Sequence, residues 1–561
     1  LRANAIRPYG TLIIKLIMQK TTIHTVSIVM MVVALCCCII LQSCAQDNLK
    51  NATELSLPIT NKKMVIAHCM TNIIRYKGHK FEDSCDPDYY SPKGNISAPI
   101  GGLTQVVPMN DRLLKDASLD EAVEFEMRTA IKSGIDGFQF YYTLYNDSWD
   151  DIIKAYFRVA DAKNIDFKLA LCISHPSGST EDKKIQEFAK RINGIMNAVG
   201  RNNSHWLRTP DGRLVVYLWY GEQIADIPAN LKGKPEQYYM ANAFKKLGDA
   251  VNEKFACIYC INENITKQKL NRVLDYFPAV WVWTLPYKEQ GYIGNLVADE
   301  CKKRNRTFEG STFNDFYTSK LLKRGTWDMF HDVQDAVNAG LENVERKYVA
   351  TGLSYNFRNL FEFGIKRDAS VINIITWNDY PEGHHIAPEI NHNDGFAILL
   401  NYYKGVWKQQ PFYKEQDVIV TFFKKYKHDI TPKPFDIPVV SFEENGVSLA
   451  SEDAIELVTI LKDKASLNVN GKIVDVPAGF AVTRFPQSAG AVTASIIRNG
   501  VEVKKFTTPE WITDKPYRSD RITYSYSSEF GKYYKSIFGD LPPIYSMEYN
   551  ADSTRLNIGR N

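Results

Sequence analysis

The stretch INIITWNDYPEGHHIAPEI, residues 372–390, decides how the chain is read. A burst of β-branched residues stops at Thr376. A Trp, an Asn, two carboxylates three positions apart (Asp379 and Glu382) and two adjacent histidines follow. A buried strand therefore ends in a turn loaded with ionisable groups. Such loading is normal where strand ends open onto a pocket, and a bare D-x-x-E elsewhere is usually a cap beside a surface ion pair.

Upstream, seven further runs have the same texture: MVIAHCM (64–70), GIDGFQFYY (134–142), FKLALCISH (167–175), RLVVYLWY (213–220), FACIYCINE (255–263), AVWVWTLP (279–286) and FEGSTFNDFYT (308–318). Most are continuously apolar, as strands buried on both faces of a parallel sheet must be. Helical patterns lie between them. The clearest is SLDEAVEFEMRTAIKSG, with a capping box at Ser118 and Glu121, apolar residues at helical spacing, and Gly134 at its end. Eight strands alternating with helices predict an α/β fold, a (β/α)8 TIM barrel over residues 64–430. A doubly wound open sheet would carry a Gly-rich turn after an early strand, and none follows residues 70, 142 or 175. The Gly- and Pro-rich stretch 71–117 is expected over the barrel mouth.

From about residue 435 the alternation shortens. Asn470-Gly471 and Asn499-Gly500 are hairpin signals, and residues 435–561 read as a C-terminal β-sandwich-like domain. The Tyr- and Ser-rich stretch from 511 carries no assignable pattern.

The chain has 561 residues, 45% hydrophobic and 24% charged, ordinary values for a globular protein. Residues 1–44 hold Arg2, Arg7, Lys15 and Lys20 and no acid, so the formal charge of +4 leaves a neutral body. A neutral body gives no electrostatic footprint for nucleic acid. Aromatics reach 12%, which suits either a large core or a surface that stacks on sugar rings. Cys257 and Cys260 lie three apart within a strand and point to opposite faces, so they read as buried thiols.

TVSIVMMVVALCCCIILQSC has the layout of a secretory leader. Its end resembles a bacterial lipobox. The resemblance puts a lipid on Cys44, makes 45–63 a polar tether, and implies a protein of the bacterial cell envelope, periplasmic or surface-exposed. A permanent membrane helix is the competing reading of this run.

In a (β/α)8 barrel, loops at the C-terminal strand ends build the site. Asp379 and Glu382 then overhang the mouth, with Trp377 and Asn378 at the last strand's end as candidate substrate contacts. Glycosidic cleavage needs such a pair, one carboxyl protonated and the other ionised. Asp379, nearest the strand and Asn378, suits a general base. Glu382, further out, suits a general acid. Trp219 and Trp283 are candidate sugar platforms or core residues. Tyr141 and Tyr142 end the second strand, and alternation lets only one face inward. Asn262, Glu263 and Asn314 are candidate substrate contacts. Asp136 lies early in its strand and reads as structural. His68, His175, His384 and His385 raise the question of a metal, but neither H-x-H nor H-E-x-x-H occurs, and neither metal nor cofactor is called for.

TWNDYPEGHHI resembles the W-N-D-Y-G-E-S-H-Y-I signature of glycoside hydrolase family 71, the endo-α-1,3-glucanases or mutanases. VIAHCM resembles that family's first-strand A-H-x-M, and SGIDGFQF its A-G-I-D-G-F. The resemblance implies Asp379 and Glu382 as the catalytic pair, an inverting endo-hydrolase of α-1,3-glucan, and a polysaccharide or oligosaccharide substrate. It matches His68 to the family's first-strand His, and His68, His175 and His384 are further candidate substrate contacts. The chain departs from the family at Pro381, at His175 and in TFNDF, which leaves the linkage open. WNDYPEG also resembles the W-N-E-W-x-E-G of family 99 endo-α-mannosidases. A non-catalytic glycan-binding lipoprotein is the reading from another class.

Overall fold

The computed structural model describes residues 59–81, 108–318, 320–330, 333–389, 391–410, 413–430, 439–442, 447–516 and 521–540. The leader, Cys44 and most of the expected tether lie outside them. The tether's last residues are described, and Ile59 is fully buried in the barrel core, so the packed body begins before residue 64.

The apolar runs form β1 (Met64–Cys69), β2 (Gly137–Tyr142), β3 (Lys168–Ser174), β4 (Leu214–Trp219), β5 (Phe255–Ile261) and β6 (Ala279–Val282). The predicted seventh strand is broken into β7 (Thr307–Phe308) and β8 (Gly310–Thr312). After β9 (Leu322–Lys323) and β10 (Val344–Val349) comes the last barrel strand, β11 (Val371–Ile374). All the barrel pairings are parallel, in the order β7-β6-β5-β4-β3-β2-β1-β11-β8. Because β7 bonds to β6 and β8 to β11, the two pieces together make one strand that completes the barrel. The expected (β/α)8 barrel is therefore present.

The break falls at Glu309, a carboxylic acid in the barrel interior. Its Oε2 accepts hydrogen bonds from Tyr217 Oη at 3.0 Å and Asn373 Nδ2 at 2.7 Å. Asn373 Oδ1 in turn accepts from Gln139 Nε2 at 2.8 Å. Burial pushes the Glu309 carboxyl up to about 7. A single strand was expected over 308–318. The strand instead breaks at Glu309 and ends at Thr312.

The helix Leu119–Lys132 has the capping box that its sequence predicts: Glu121 N donates to Ser118 Oγ at 3.2 Å, and Ser118 N to Glu121 Oε2 at 2.8 Å. Asp136 accepts from Val65 N at 2.9 Å and pairs with Lys404 and Lys408, fastening β1 to the last barrel helix, Gly395–Trp407. Between β8 and β11 the sequence suggested no insertion. The structure has β9 paired antiparallel with β10, which also pairs with β13 (Val439–Phe442).

The sandwich starts before the expected boundary. β12 (Val418–Lys424), assigned by sequence to the barrel, is a strand of the sheet β17-β14-β12-β20. Its neighbours are β14 (Ala454–Leu461), β17 (Gly479–Pro486) and β20 (Thr523–Ser527). The second sheet, β16-β15-β18-β19, joins β15 (Ala465–Val469), β16 (Lys472–Val476), β18 (Gly490–Arg498) and β19 (Val501–Ile512). Asn470-Gly471 and Asn499-Gly500 make its two hairpins, all four residues at positive φ as a tight hairpin requires. β12 was misread because it is apolar on both faces. Val418, Val420 and Phe422 pack on the barrel, while Ile419 and Phe423 pack into the sandwich. The Tyr- and Ser-rich tail supplies β20 and a helix, Phe530–Phe538.

Candidate active site

β11 ends at Ile374, and the chain turns through Tyr380–Glu382 at its C-terminal end. The turn is pinned from several sides. Trp377 is fully buried, and its Nε1 donates to Glu126 Oε2 at 2.6 Å. Asn110 Nδ2 donates to the other oxygen of Glu126 at 2.7 Å. Burial pushes the Glu126 carboxyl up to about 7. Asn378 Nδ2 donates to Met70 O and Ile73 O, and its Oδ1 accepts from Met70 N. Trp377 and Asn378 therefore clamp the loop after β1, and both are consumed by the fold. This corrects the expectation that they contact substrate. The amide of Asn378 does not support Asp379 either. That carboxylate's own backbone N–H donates to Thr376 Oγ1 at 2.8 Å.

Gly383 reverses the chain after Glu382. Its φ is +68°, and a Cβ there would lie 3.0 Å from Tyr317 O, so a side chain would be strained in backbone and would press on Tyr317. The reversal brings His384 back between the two carboxylates. His384 Nε2 lies 3.2 Å from Asp379 Oδ2 and 3.4 Å from Glu382 Oε2. The nearest oxygens of Asp379 and Glu382 lie within 4.8 Å of one another. Lys320 Nζ donates to Glu382 Oε1 at 2.6 Å.

These charges set each other's titration. Burial works to raise the Glu382 pKa, but the Lys320 ammonium and then His384 outweigh it and hold the carboxyl well below its usual range. Burial alone lowers His384, but hydrogen bonds to Asp379 and Glu382 push it up to about 9. Glu382 therefore stands as a carboxylate beside two cations, which corrects its expected role as a resting proton donor. Lys320 was missed because nothing in YTSKLLK marks one lysine as site-facing.

An aromatic wall faces this cluster. Trp283 packs edge-on against His68 at 5.1 Å and against His384 at 6.0 Å. Trp219 lies 5.3 Å from Trp283, 5.9 Å from Tyr141 and 4.7 Å from His175. Trp219, Trp283, Tyr141 and His175 are all partly exposed, as a sugar-facing wall must be. His68 is buried beneath it, with Nδ1 lacking a hydrogen-bond partner; burial first, with His384 adding, lowers it to about 3 despite a Gln139 hydrogen bond, and it stands neutral.

Three candidates lie elsewhere. Tyr142 faces outward, fully buried, with Oη donating to Asp150 and Arg191 over its ring. Alternation thus chose Tyr141 for the mouth. Glu263 is on the surface in an ion pair with Lys269. Asn314 is buried and donates from Nδ2 to His385 O at 2.7 Å, beyond the mouth. Asn262 is half-buried at the end of β5.

A barrel whose last strand delivers two carboxylates to an aromatic-walled mouth is the arrangement of a glycoside hydrolase. Residues 357–526 match the family model of Glycosyl hydrolase family 71, so the chain is a glycoside hydrolase whose carboxylate loop and first sandwich sheet lie within that match. Two solved structures are similar. A GH99 endo-alpha-mannosidase from Bacteroides thetaiotaomicron shares 12% identity over 62% of this chain and 98% of its own, with a TM-score of 0.41. A glycosyl hydrolase family 2 member from Bacteroides cellulosilyticus DSM 14838 shares 11% over 69% of this chain and 43% of its own, with a TM-score of 0.37. No curated protein matches the sequence.

Proposed function

We propose that this is an endo-acting glycosidase of α-glucan, α-1,3-linked in its preferred substrate, secreted and held on the cell envelope by a lipid on Cys44. One observation carries the catalytic part. Asp379 and Glu382 share His384 at the C-terminal end of β11, opposite Trp219 and Trp283. The family 71 match and the TWNDYPEGHHI motif support the α-glucan; the LQSC motif supports the anchor.

The Lys320 ion pair makes Glu382 the ionised partner, the base or nucleophile. Protonation of the leaving oxygen then falls to Asp379, which takes the proton from His384 at 3.2 Å, the reverse of the division that the sequence suggested. The family resemblance supports inversion of the anomeric centre.

The test is a panel of α-glucans and α-mannans assayed for new reducing ends, with the anomer of the first product read by NMR. Release from α-1,3-glucan with a rapid fall in chain length is expected. Release from α-mannan alone would move the protein to the family 99-like reading. Binding without release would make it a glycan-binding protein.

A further inference from the structure

Behind the catalytic turn lies a second cluster that glycoside hydrolysis does not use. His385, Glu389 and His392 converge on one another, and each is at least 98% buried. His385 Nε2 and His392 Nδ1 each lie 3.5 Å from Glu389 Oε1. That is too long for a hydrogen bond. It is close to the edge of a tetrahedron whose vertices sit about 2.1 Å from a central zinc, roughly 3.4 Å.

The surroundings have the features of a prepared ligand set. His392 Nε2 faces Asp315 Oδ2 at 3.4 Å, which places its proton on Nε2 and its lone pair on Nδ1, toward the cluster. Asn314 Nδ2 donates to that same Nδ1 at 3.2 Å, a hydrogen bond that a bound metal would replace. A carboxylate behind a ligating imidazole is the usual way its tautomer is fixed. Glu389 Oε2 accepts from Asn391 N at 2.7 Å, and Oε1 accepts from His392 N, so the carboxylate is aimed by its own turn. His385 has no hydrogen-bond partner on either ring nitrogen, although it is completely buried. A buried imidazole with neither nitrogen satisfied is destabilising unless something fills the place.

We propose that His385, Glu389 and His392 form a structural site for a divalent metal of the zinc type, which ties the catalytic loop to the barrel–sandwich seam. Two imidazoles and one carboxylate suit zinc or cobalt over calcium or magnesium. The site lies on the far side of the turn from the carboxylates and holds the loop from behind.

The full chain should be purified without added metal, analysed for metal by mass spectrometry, then treated with a chelator and titrated with zinc chloride or cobalt chloride. Roughly one equivalent per chain is expected, with a tetrahedral cobalt absorption band. The melting temperature should fall on chelation and recover with zinc, by roughly 2 °C or more. His385→Tyr and His392→Asn should lose the metal, and Glu382→Gln should keep it. If neither zinc nor cobalt changes the spectrum or the melting temperature of the wild-type chain, the proposal fails, whatever the variants do. Retention of the full equivalent by a folded His385→Tyr, or its loss from Glu382→Gln, would also overturn it.

Discussion

His384 and His385 are neighbours in sequence, and both are fully buried, yet they live in opposite chemistry. His384 turns toward the barrel mouth and is held protonated, up to about 9, by Asp379 and Glu382. His385 turns toward the sandwich, where burial, against the pull of Glu389, lowers it to about 4 and leaves it neutral. Burial is therefore not what decides the charge of a histidine. The number and placement of carboxylates around it decide. One loop thus presents a charged face to substrate and a neutral, ligand-like face to the protein. The faces are separable in principle, because consecutive side chains leave the backbone in different directions.

The largest effect should come from the mouth side. Asp379→Asn and Glu382→Gln are each expected to lower kcat on glycan by at least about 10²-fold, the usual worth of a general acid or base. Circular dichroism and melting temperature should stay near wild type. If either variant keeps near-normal rates, the catalytic face has been placed on the wrong residues.

Lys320→Met sharpens the same side. Lys320 lowers the Glu382 pKa, so its removal lets that pKa rise. The acid limb of the pH–rate profile should move to higher pH by about 1–3 units, the range for loss of one close opposite charge. An unmoved limb would mean that Glu382 ionisation does not govern the rate.

Trp377→Phe addresses the loop's anchorage. It removes the Nε1 donor to the buried Glu126 and should cost about 1–3 kcal/mol of stability in denaturant melts. KM should not change, because the indole touches no open space. A raised KM with intact stability would restore Trp377 to the substrate-facing wall.

Trp283→Ala should give the smallest change. Losing one aromatic face against a sugar is worth about 1 kcal/mol, so KM should rise about fivefold with kcat little altered. An equal fall in kcat would mean that Trp283 instead positions His384, its neighbour at 6.0 Å.

The barrel and the sandwich were not equally legible. Eight strands, the capped helix at Ser118, the hairpins at Asn470 and Asn499, and the carboxylate turn were readable because each leaves a local mark. Apolar runs, capping residues and Asn-Gly turns act within a few residues. The boundary at β12 was not legible. A strand buried on both faces looks alike in a barrel and in a sheet pressed against one. The break at Glu309 was also hidden, since its partners Tyr217 and Asn373 lie far away in the chain.

The sequence by itself determined that two carboxylates end the last barrel strand, because strand period and turn residues are local properties. Tertiary structure alone decided what those groups are. Lys320 comes from 62 positions away to keep Glu382 ionised. Met70 and Ile73 reach across more than 300 positions to take Asn378 out of the chemistry. Asp315 arrives 77 positions from His392 to orient it. Charge state and hydrogen-bond occupancy depend on what lies within a few ångströms in space, and a linear chain carries no record of those distances.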